Sequence, residues 1–231
     1  DNSVTIGVLR TNFTDFKNES NGGAIYIFNC GFYIHAINFT RCISVKGGGG
    51  AIYIKDSRTL TYNITIDACF FTGCQAVFGG ACYIYSSSDS NDVTINSCIF
   101  SSNYAYKRNS NYDDPVFYGG SSLFLTTRNL FVNGSKFNNN KGQSGSIKIY
   151  NKYDEDIKKI NSLEFDSKLR TIFISECDFE NEEKSESSIF YINDKEGSKI
   201  ELRKCSFKGR MTKDYHYIKG RLLVKDAPKI H

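Results

Sequence analysis

Eight cysteines and three histidines are the residues in this 231-residue chain best suited to metal binding or nucleophilic chemistry. The cysteines stand at 30, 42, 69, 74, 82, 98, 177 and 205, and the histidines at 35, 216 and 231. Cys69 and Cys74 are spaced C-x4-C, no C-x-x-C pair occurs, and no His accompanies the cysteines at zinc-ligand spacing. The cysteines therefore read as small buried hydrophobes, as one or two disulfides of an exported protein, or as a catalytic or metal set. Polysaccharide chemistry would need paired carboxylates at fixed separation, or an acidic calcium site with a basic proton abstractor. Asp67 lies two residues before Cys69 and Asp178 one after Cys177, so they occupy different repeat positions. Asp56 lies near Arg58, and Asp92 has no partner in register. Asp113-Asp114 is the best acidic pair, and Asp154-Glu155-Asp156 a second acidic cluster; both read as solvated loop charge. His35, on an alternating strand, reads as an outward surface histidine. No Gly-x-Ser-x-Gly, P-loop or dinucleotide fingerprint is present, and Gly47–Gly50 lacks the Lys-Ser/Thr that a phosphate loop requires. The expectation is no catalytic residue, no cofactor and no metal.

The elements that carry these residues come from an internal repeat. Gly22-Gly23-Ala24-Ile25-Tyr26-Ile27 recurs as Gly49-Gly50-Ala51-Ile52-Tyr53-Ile54 and as Gly79-Gly80-Ala81-Cys82-Tyr83-Ile84. Weaker copies begin at Gly119, Ser144 and Ser187, and Gly220-Arg221-Leu222-Leu223-Val224 reads as a degenerate seventh. Between the copies runs an alternating strand ending in Phe, with Cys-x-Phe at 69/71, 98/100, 177/179 and 205/207. The stretch from Val4 to Phe13 reads as a truncated or capping version. Marker residues Phe13, Phe39, Phe71, Phe100, Phe137, Phe179 and Phe207 are 26, 32, 29, 37, 42 and 28 apart. Period-2 alternation with β-branched and aromatic residues predicts strands, and no 3.6-residue stripe is present. The fold expected is all-β: a right-handed parallel β-helix of about seven coils forming a single domain over 1–231. Regular coils would occupy 1–103, with polar insertions at 104–118 and 151–168 and charged C-terminal coils and a cap over 169–231. Ile25/Ile27, Ile52/Ile54 and Cys82/Ile84 are expected inside. Tyr26, Tyr53 and Tyr83 would then form an exposed ladder and a possible interaction face. The marker Phe residues and the Cys two positions before them should stack as inner columns.

The Gly-Gly-Ala-Ile copies at 22–25 and 49–52, with Phe100-Ser-Ser-Asn103 and Phe137-Asn-Asn-Asn140, resemble the repeats of the polymorphic outer membrane protein family. Elsewhere the Asn is replaced: by Cys42 after Phe39, Cys74 after Phe71, Glu182 after Phe179 and Arg210 after Phe207. The resemblance implies a pectin-lyase-like parallel β-helix with surface exposure and an adhesive or scaffolding role. Its match to polygalacturonase sites is confined to a bare Asp-Asp.

Charge divides the chain. Residues 1–120 hold 8 basic and 9 acidic residues, and residues 121–231 hold 21 and 16. A net charge of +4 gives no global push toward nucleic acid, and Lys213–Arg221 reads as a last coil rather than a base-stacking platform. No run of 18 apolar residues spans a membrane in this segment. The opening Asp1-Asn2-Ser3, without Met, reads as a mature product or a piece of something longer. Sequons at Asn12, Asn18, Asn38, Asn63 and Asn133 are possible glycosylation sites if the chain is exported. The leading expectation is a non-enzymatic structural or adhesive segment at the cell surface or outside it. Its partners would be other protein chains, end to end or within a longer polypeptide, and glycans. The rivals are a polysaccharide-active enzyme or carbohydrate-binding module, and an intracellular scaffold in a large assembly.

Overall fold

The computed structural model describes residues 5–56, 63–86, 92–106, 119–127, 129–142, 145–150, 171–185, 190–193, 199–211, 216–219, 221–225 and 229–230. All regular structure among them is β, and every ladder is parallel. No helix long and apolar enough to cross a membrane occurs among the described residues.

The strands fall into four sheets that the chain visits in rotation. The first sheet has eight strands, from Thr5–Leu9 through Gly31–His35, Ile64–Asp67, Asp92–Asn96, Asn129–Asn133, Thr171–Ser175 and Lys199–Arg203 to Arg221–Lys225. The second, also of eight, holds the marker Phe strands: Asn12–Thr14, Asn38–Thr40, Phe70–Thr72, Ile99–Ser101, Lys136–Asn138, Asp178–Ser185, Ser206–Met211 and Lys229–Ile230. The third has five short strands: Lys17–Asn18, Ile43–Ser44, Gln75–Ala76, Tyr104–Ala105 and Lys141–Gly142. The fourth has seven, carrying the Gly-Gly copies: Ile25–Phe28, Ile52–Asp56, Cys82–Ser86, Leu123–Thr126, Ile147–Tyr150, Phe190–Asn193 and His216–Lys219. Each pass through the sheets is a row, named below by its Phe.

Register follows the repeat residue for residue. Phe13 pairs with Phe39, Phe39 with Phe71, Phe71 with Phe100, and so on to Phe207. The rings stack almost face to face, with centroids 4.8–5.3 Å apart and planes within 11°. That spacing is the strand separation itself, so an in-register parallel stack forces like side chains into columns. Ile34, Ile66, Ile95, Val132, Ile174 and Leu202 make a second buried column, and Ile27, Ile54, Ile84, Leu125 and Ile149 a third. The inward placement of Ile27, Ile52, Ile54, Cys82 and Ile84 agrees with the alternation read from sequence, with Ile25 partly buried at the end.

The two glycines of each Gly-Gly copy do different work. Gly22, Gly49 and Gly79 have φ of +68°, +67° and +61°, a region that side chains disfavour. Gly23, Gly50 and Gly80 lie so close to the next row that a Cβ would stand 1.9–2.1 Å from the carbonyl oxygen of Gly50, Gly80 or Ser121. The turn between the first and second sheets also uses positive φ, without needing glycine: Arg10, Ala36, Ala68, Ser97, Gly134, Glu176 and Lys204 all lie between +49° and +57°.

Three sequence readings are corrected. Arg221–Lys225 joins the first sheet beside Lys199–Arg203, while His216–Lys219 continues the Gly-Gly sheet. Leu222 and Val224 match the Ile200/Leu202 alternation, so Gly220 was a misleading marker. Tyr104 and Ala105, placed by sequence in the first insertion, pair with Gln75 and Ala76. Thr5–Leu9 and Asn12–Thr14 pair in full register with the next row rather than forming a truncated copy. The segments 107–118 and 151–168, and with them Asp113, Asp114 and Asp154–Asp156, lie outside the described residues.

Candidate functional site

The tyrosine face is a continuous ladder. Tyr26, Tyr53, Tyr83, Phe124 and Lys148 are in register on the outer side of the fourth sheet. Tyr26 stacks on Tyr53 at 5.2 Å, Tyr53 on Tyr83 at 4.7 Å and Tyr83 on Phe124 at 5.3 Å. The Lys148 ammonium, fully buried, lies 5.5 Å from the Phe124 centroid. The expected exposure of the ladder is corrected: Tyr26 is 52% exposed but Tyr53 only 8%. Stacked rings shield each other, and Phe78 tilts over Tyr83 at 5.2 Å. Burial, with Tyr26 and Tyr85 nearby, pushes the Tyr53 hydroxyl up to about 12, and burial pushes Tyr83 up further. Near neutral pH the Tyr53 and Tyr83 hydroxyls are therefore neutral, and this aromatic strip opens to solvent at Tyr26 and Phe28.

The outer side of the first sheet is polar. His35 Nδ1 lies 2.7 Å from Asp67 Oδ2, both partly exposed. The pair was missed from sequence, although the two are 32 residues apart, the interval between Phe39 and Phe71 in the same rows. Asp92, read as having no partner, accepts a 2.8 Å hydrogen bond from Asn129 Nδ2, its register neighbour 37 residues on. Asn133 Oδ1 accepts from Ser175 Oγ at 2.7 Å. Thr65, Thr94, Phe131 and Phe173 form the parallel outer line on this face. Asp178 belongs to the second sheet and Asp67 to the first, so these carboxylates do not converge. Asp56 is buried at the end of its strand in the fourth sheet, in register with Ser86. Among the described residues no group of three or more His, Cys, Asp or Glu could hold a metal.

The Phe-x-x-Asn pattern has a structural cause. Asn103 Oδ1 accepts from the Cys74 backbone N–H at 2.9 Å, and its Nδ2 donates to the Phe71 carbonyl at 3.0 Å. Asn140 repeats this one row on, accepting from Asn103 N–H at 3.0 Å and donating to the Phe100 carbonyl at 2.9 Å. The side-chain amide thus satisfies buried backbone groups that the turn leaves open. Cys42 and Cys74 occupy the same position, their thiols directed at the Phe13 and Phe39 carbonyls at 3.5 and 3.7 Å.

All eight cysteines are unbridged, and seven are buried. Cys69, Cys98, Cys177 and Cys205 form the inner column expected beside the Phe residues, with Ser135 in the same place between Cys98 and Cys177. Burial pushes the Cys82 thiol well up. The five sequon asparagines, Asn12, Asn18, Asn38, Asn63 and Asn133, are exposed. Asn18 Nδ2 is engaged with the carbonyls of Asn21 and Gly22, and Asn12 and Asn38 are register neighbours.

The row at the amino-terminal side differs from the interior. Ile6, Leu9, Phe16, Tyr26 and Phe28, all on the Phe13 row, are 42–58% exposed. Each of the four sheets ends there in a strand with a neighbour on one side. No family model, no curated protein and no solved structure matches this chain.

Proposed function

We propose that this chain is part of a right-handed parallel β-helix of about seven coils, akin to the polymorphic outer membrane protein repeats, that builds or binds within a cell-surface or extracellular assembly. Rotation through parallel sheets supports the β-helix, and the strong preference of parallel crossovers for one hand supports right-handedness. The observation that carries the role is the Phe13 row. Each sheet ends on this row in a strand with a neighbour on one side among the described residues, and Ile6 and Phe16, which register with the buried Phe32 and Cys42, are exposed there. Such edges recruit further strands, and repeat stacks bury their core only against a neighbouring repeat or a cap. The partner is protein that continues the stack along its axis.

The test is sedimentation and negative-stain microscopy over a concentration series, with Ile6→Lys and Phe16→Lys as variants. Rods that lengthen with concentration, and shorten in the variants, support axial stacking. A monomer at all concentrations, unchanged by either substitution, rejects it.

A second reading is a carbohydrate-binding module. It draws on the outer side of the first sheet, where His35, Asp67, Asn96, Asn133 and Ser175 run beside Tyr33, Phe131 and Phe173. Hydrogen-bonding groups beside aromatic rings suit sugar hydroxyls and sugar faces. Titration with neutral oligosaccharides decides it: saturable binding lost in Asn96→Ala supports it, and no heat of binding removes it. The third reading, an intracellular scaffold, draws on the eight unbridged thiols.

A further inference from the structure

Six of the eight cysteines are not scattered through the core but come as register neighbours in adjacent rows. Phe39 pairs with Phe71 and Thr40 with Thr72, which sets Cys42 against Cys74. The Gln75 N–H donates to the Cys42 carbonyl at 2.9 Å, as a parallel ladder with those two opposed requires. The Ile99 N–H donates to the Cys69 carbonyl at 2.9 Å, setting Cys69 against Cys98. The Ser206 N–H donates to the Cys177 carbonyl at 2.9 Å, setting Cys177 against Cys205. Side-chain directions agree. Cys74 Sγ lies 3.7 Å from the Phe39 carbonyl, Cys98 Sγ 3.5 Å from that of Ile66 and Cys205 Sγ 3.6 Å from that of Ile174. Each of these thiols leans toward the row that holds its mate.

Along their columns the pairs are separated from one another. The 42/74 column continues into Phe16 on one side and Asn103 on the other. The 69/98 pair lies between Ile37 and Ser135, and Ser135 separates it from 177/205. Cys82 has Ile52 and Leu123 as register neighbours, so it has no mate in its own column. Neighbouring strands are about 4.8 Å apart, which falls within the Cα separation that a disulfide spans.

We propose that Cys42–Cys74, Cys69–Cys98 and Cys177–Cys205 are three axial disulfide sites that close under oxidising conditions and fasten the adjacent rows that hold them, with Cys30 and Cys82 left as thiols. The inference rests on register alone and stands whether or not the chain stacks end to end. Within each pair the neighbouring thiol shifts one member, Cys42, Cys69 or Cys205, toward the thiolate. The oxidant is a low-molecular-weight disulfide. The thiolate attacks one of its sulfurs, expelling a small thiolate and leaving a mixed disulfide on the protein. The stacked neighbour, losing its proton to the expelled thiolate, attacks the protein sulfur and expels the second small thiolate, which takes up the proton released when the first cysteine ionised. The protein loses a pair of hydrogens per site, and one small disulfide becomes two small thiols. Two of the closures are consecutive and tie the Phe39, Phe71 and Phe100 rows together. The third ties Phe179 to Phe207, apart from the first two, while the Phe13 and Phe137 rows carry no bridge.

The experiment is to fold the whole chain from denaturant in a buffer of oxidised and reduced glutathione, so that closure accompanies stacking. Remaining thiols are then alkylated and unreduced peptides mapped by mass spectrometry. The expected result is three cross-row peptides, 42–74, 69–98 and 177–205, with alkylation confined to Cys30 and Cys82, and a higher urea midpoint without reductant than with it. A dominant pairing through Cys82 or Cys30, alkylation of all eight thiols, or persistent glutathione adducts at the paired positions would overturn the proposal. Cys42→Ser supplies the check on isolation. Cys74 should become alkylated while the other two bridges still form, and reshuffling of those bridges overturns the assignment.

Discussion

The Phe39 to Phe137 rows and the Phe179 to Phe207 rows share one inner column but are held together differently outside it. In the first region the chain visits four sheets per row, and the third sheet ends at Lys141–Gly142. There the turn after the Phe strand is built on Cys42, Cys74, Asn103 and Asn140, whose side chains serve buried backbone groups. In the second region three sheets continue, and the Phe179 strand lengthens to Asp178–Ser185. Outer neighbours there pair by charge, Lys204 with Glu176 at 3.8 Å and Lys208 with Glu180 at 2.6 Å, and Lys136 of the first region meets Asp178 at 4.0 Å across the boundary. The Phe rings stack through both regions without a break. A row is therefore defined by what it buries, while the solvent-facing ladder can be exchanged, because exposed ion pairs contribute little.

The sharpest way to break this comparison is to remove a ring. Phe100 stacks on both sides and is fully buried. Phe100→Ala should destabilise by about 3–5 kcal/mol. Phe207→Ala, whose register neighbours are Phe179 on one side and Ile230 rather than a Phe on the other, should cost less in the same urea titration. Equal losses would mean that the column is not cooperative.

Gly50→Ala places a methyl 2.1 Å from the Gly80 carbonyl oxygen. A shift of two rows apart should cost about 1–3 kcal/mol, read as a lower thermal midpoint. Asn103→Leu leaves the Cys74 N–H and Phe71 carbonyl without their side-chain partner. A loss of about 1–3 kcal/mol is expected, with faster hydrogen exchange at the Cys74 amide.

A gain is expected at Ala68, whose φ is +51°. Ala68→Gly relieves a left-handed penalty larger than the entropy glycine adds, a net stabilisation of about 0.5–1 kcal/mol. An unchanged midpoint would show that the turn pays no such strain. The smallest effect belongs to the charged region. Lys208→Ala removes a pair whose members are 65% and 36% exposed, worth at most about 1 kcal/mol and lost in high salt. A larger loss that persists in salt would show that the ion ladder holds the second region.

Much of this architecture was legible as spacing. Gly-Gly-Ala-Ile and Cys-x-Phe fixed strand identity and side-chain direction for the Phe39, Phe71 and Phe100 rows, because alternation and turn chemistry are local. The failures cluster where a local marker was ambiguous. Gly220 suggested a Gly-Gly strand, and Tyr104 followed the last regular Asn, yet their sheets were chosen by pairing. The Tyr26/Tyr53/Tyr83 face was located correctly, but its exposure was not, since Phe78 arrives over Tyr83 from another part of the row. The His35–Asp67 and Asp92–Asn129 pairs needed the interval between rows to be applied to polar positions as well as to Phe.

By itself the sequence determined which residues point inward and which positions repeat, because those properties depend on period 2 and on what glycine permits. Tertiary structure alone decided which thiols are neighbours, which carboxylates have partners and how deeply a tyrosine is covered. Those depend on register between rows some 30 residues apart, and register is settled when many inner columns align at once.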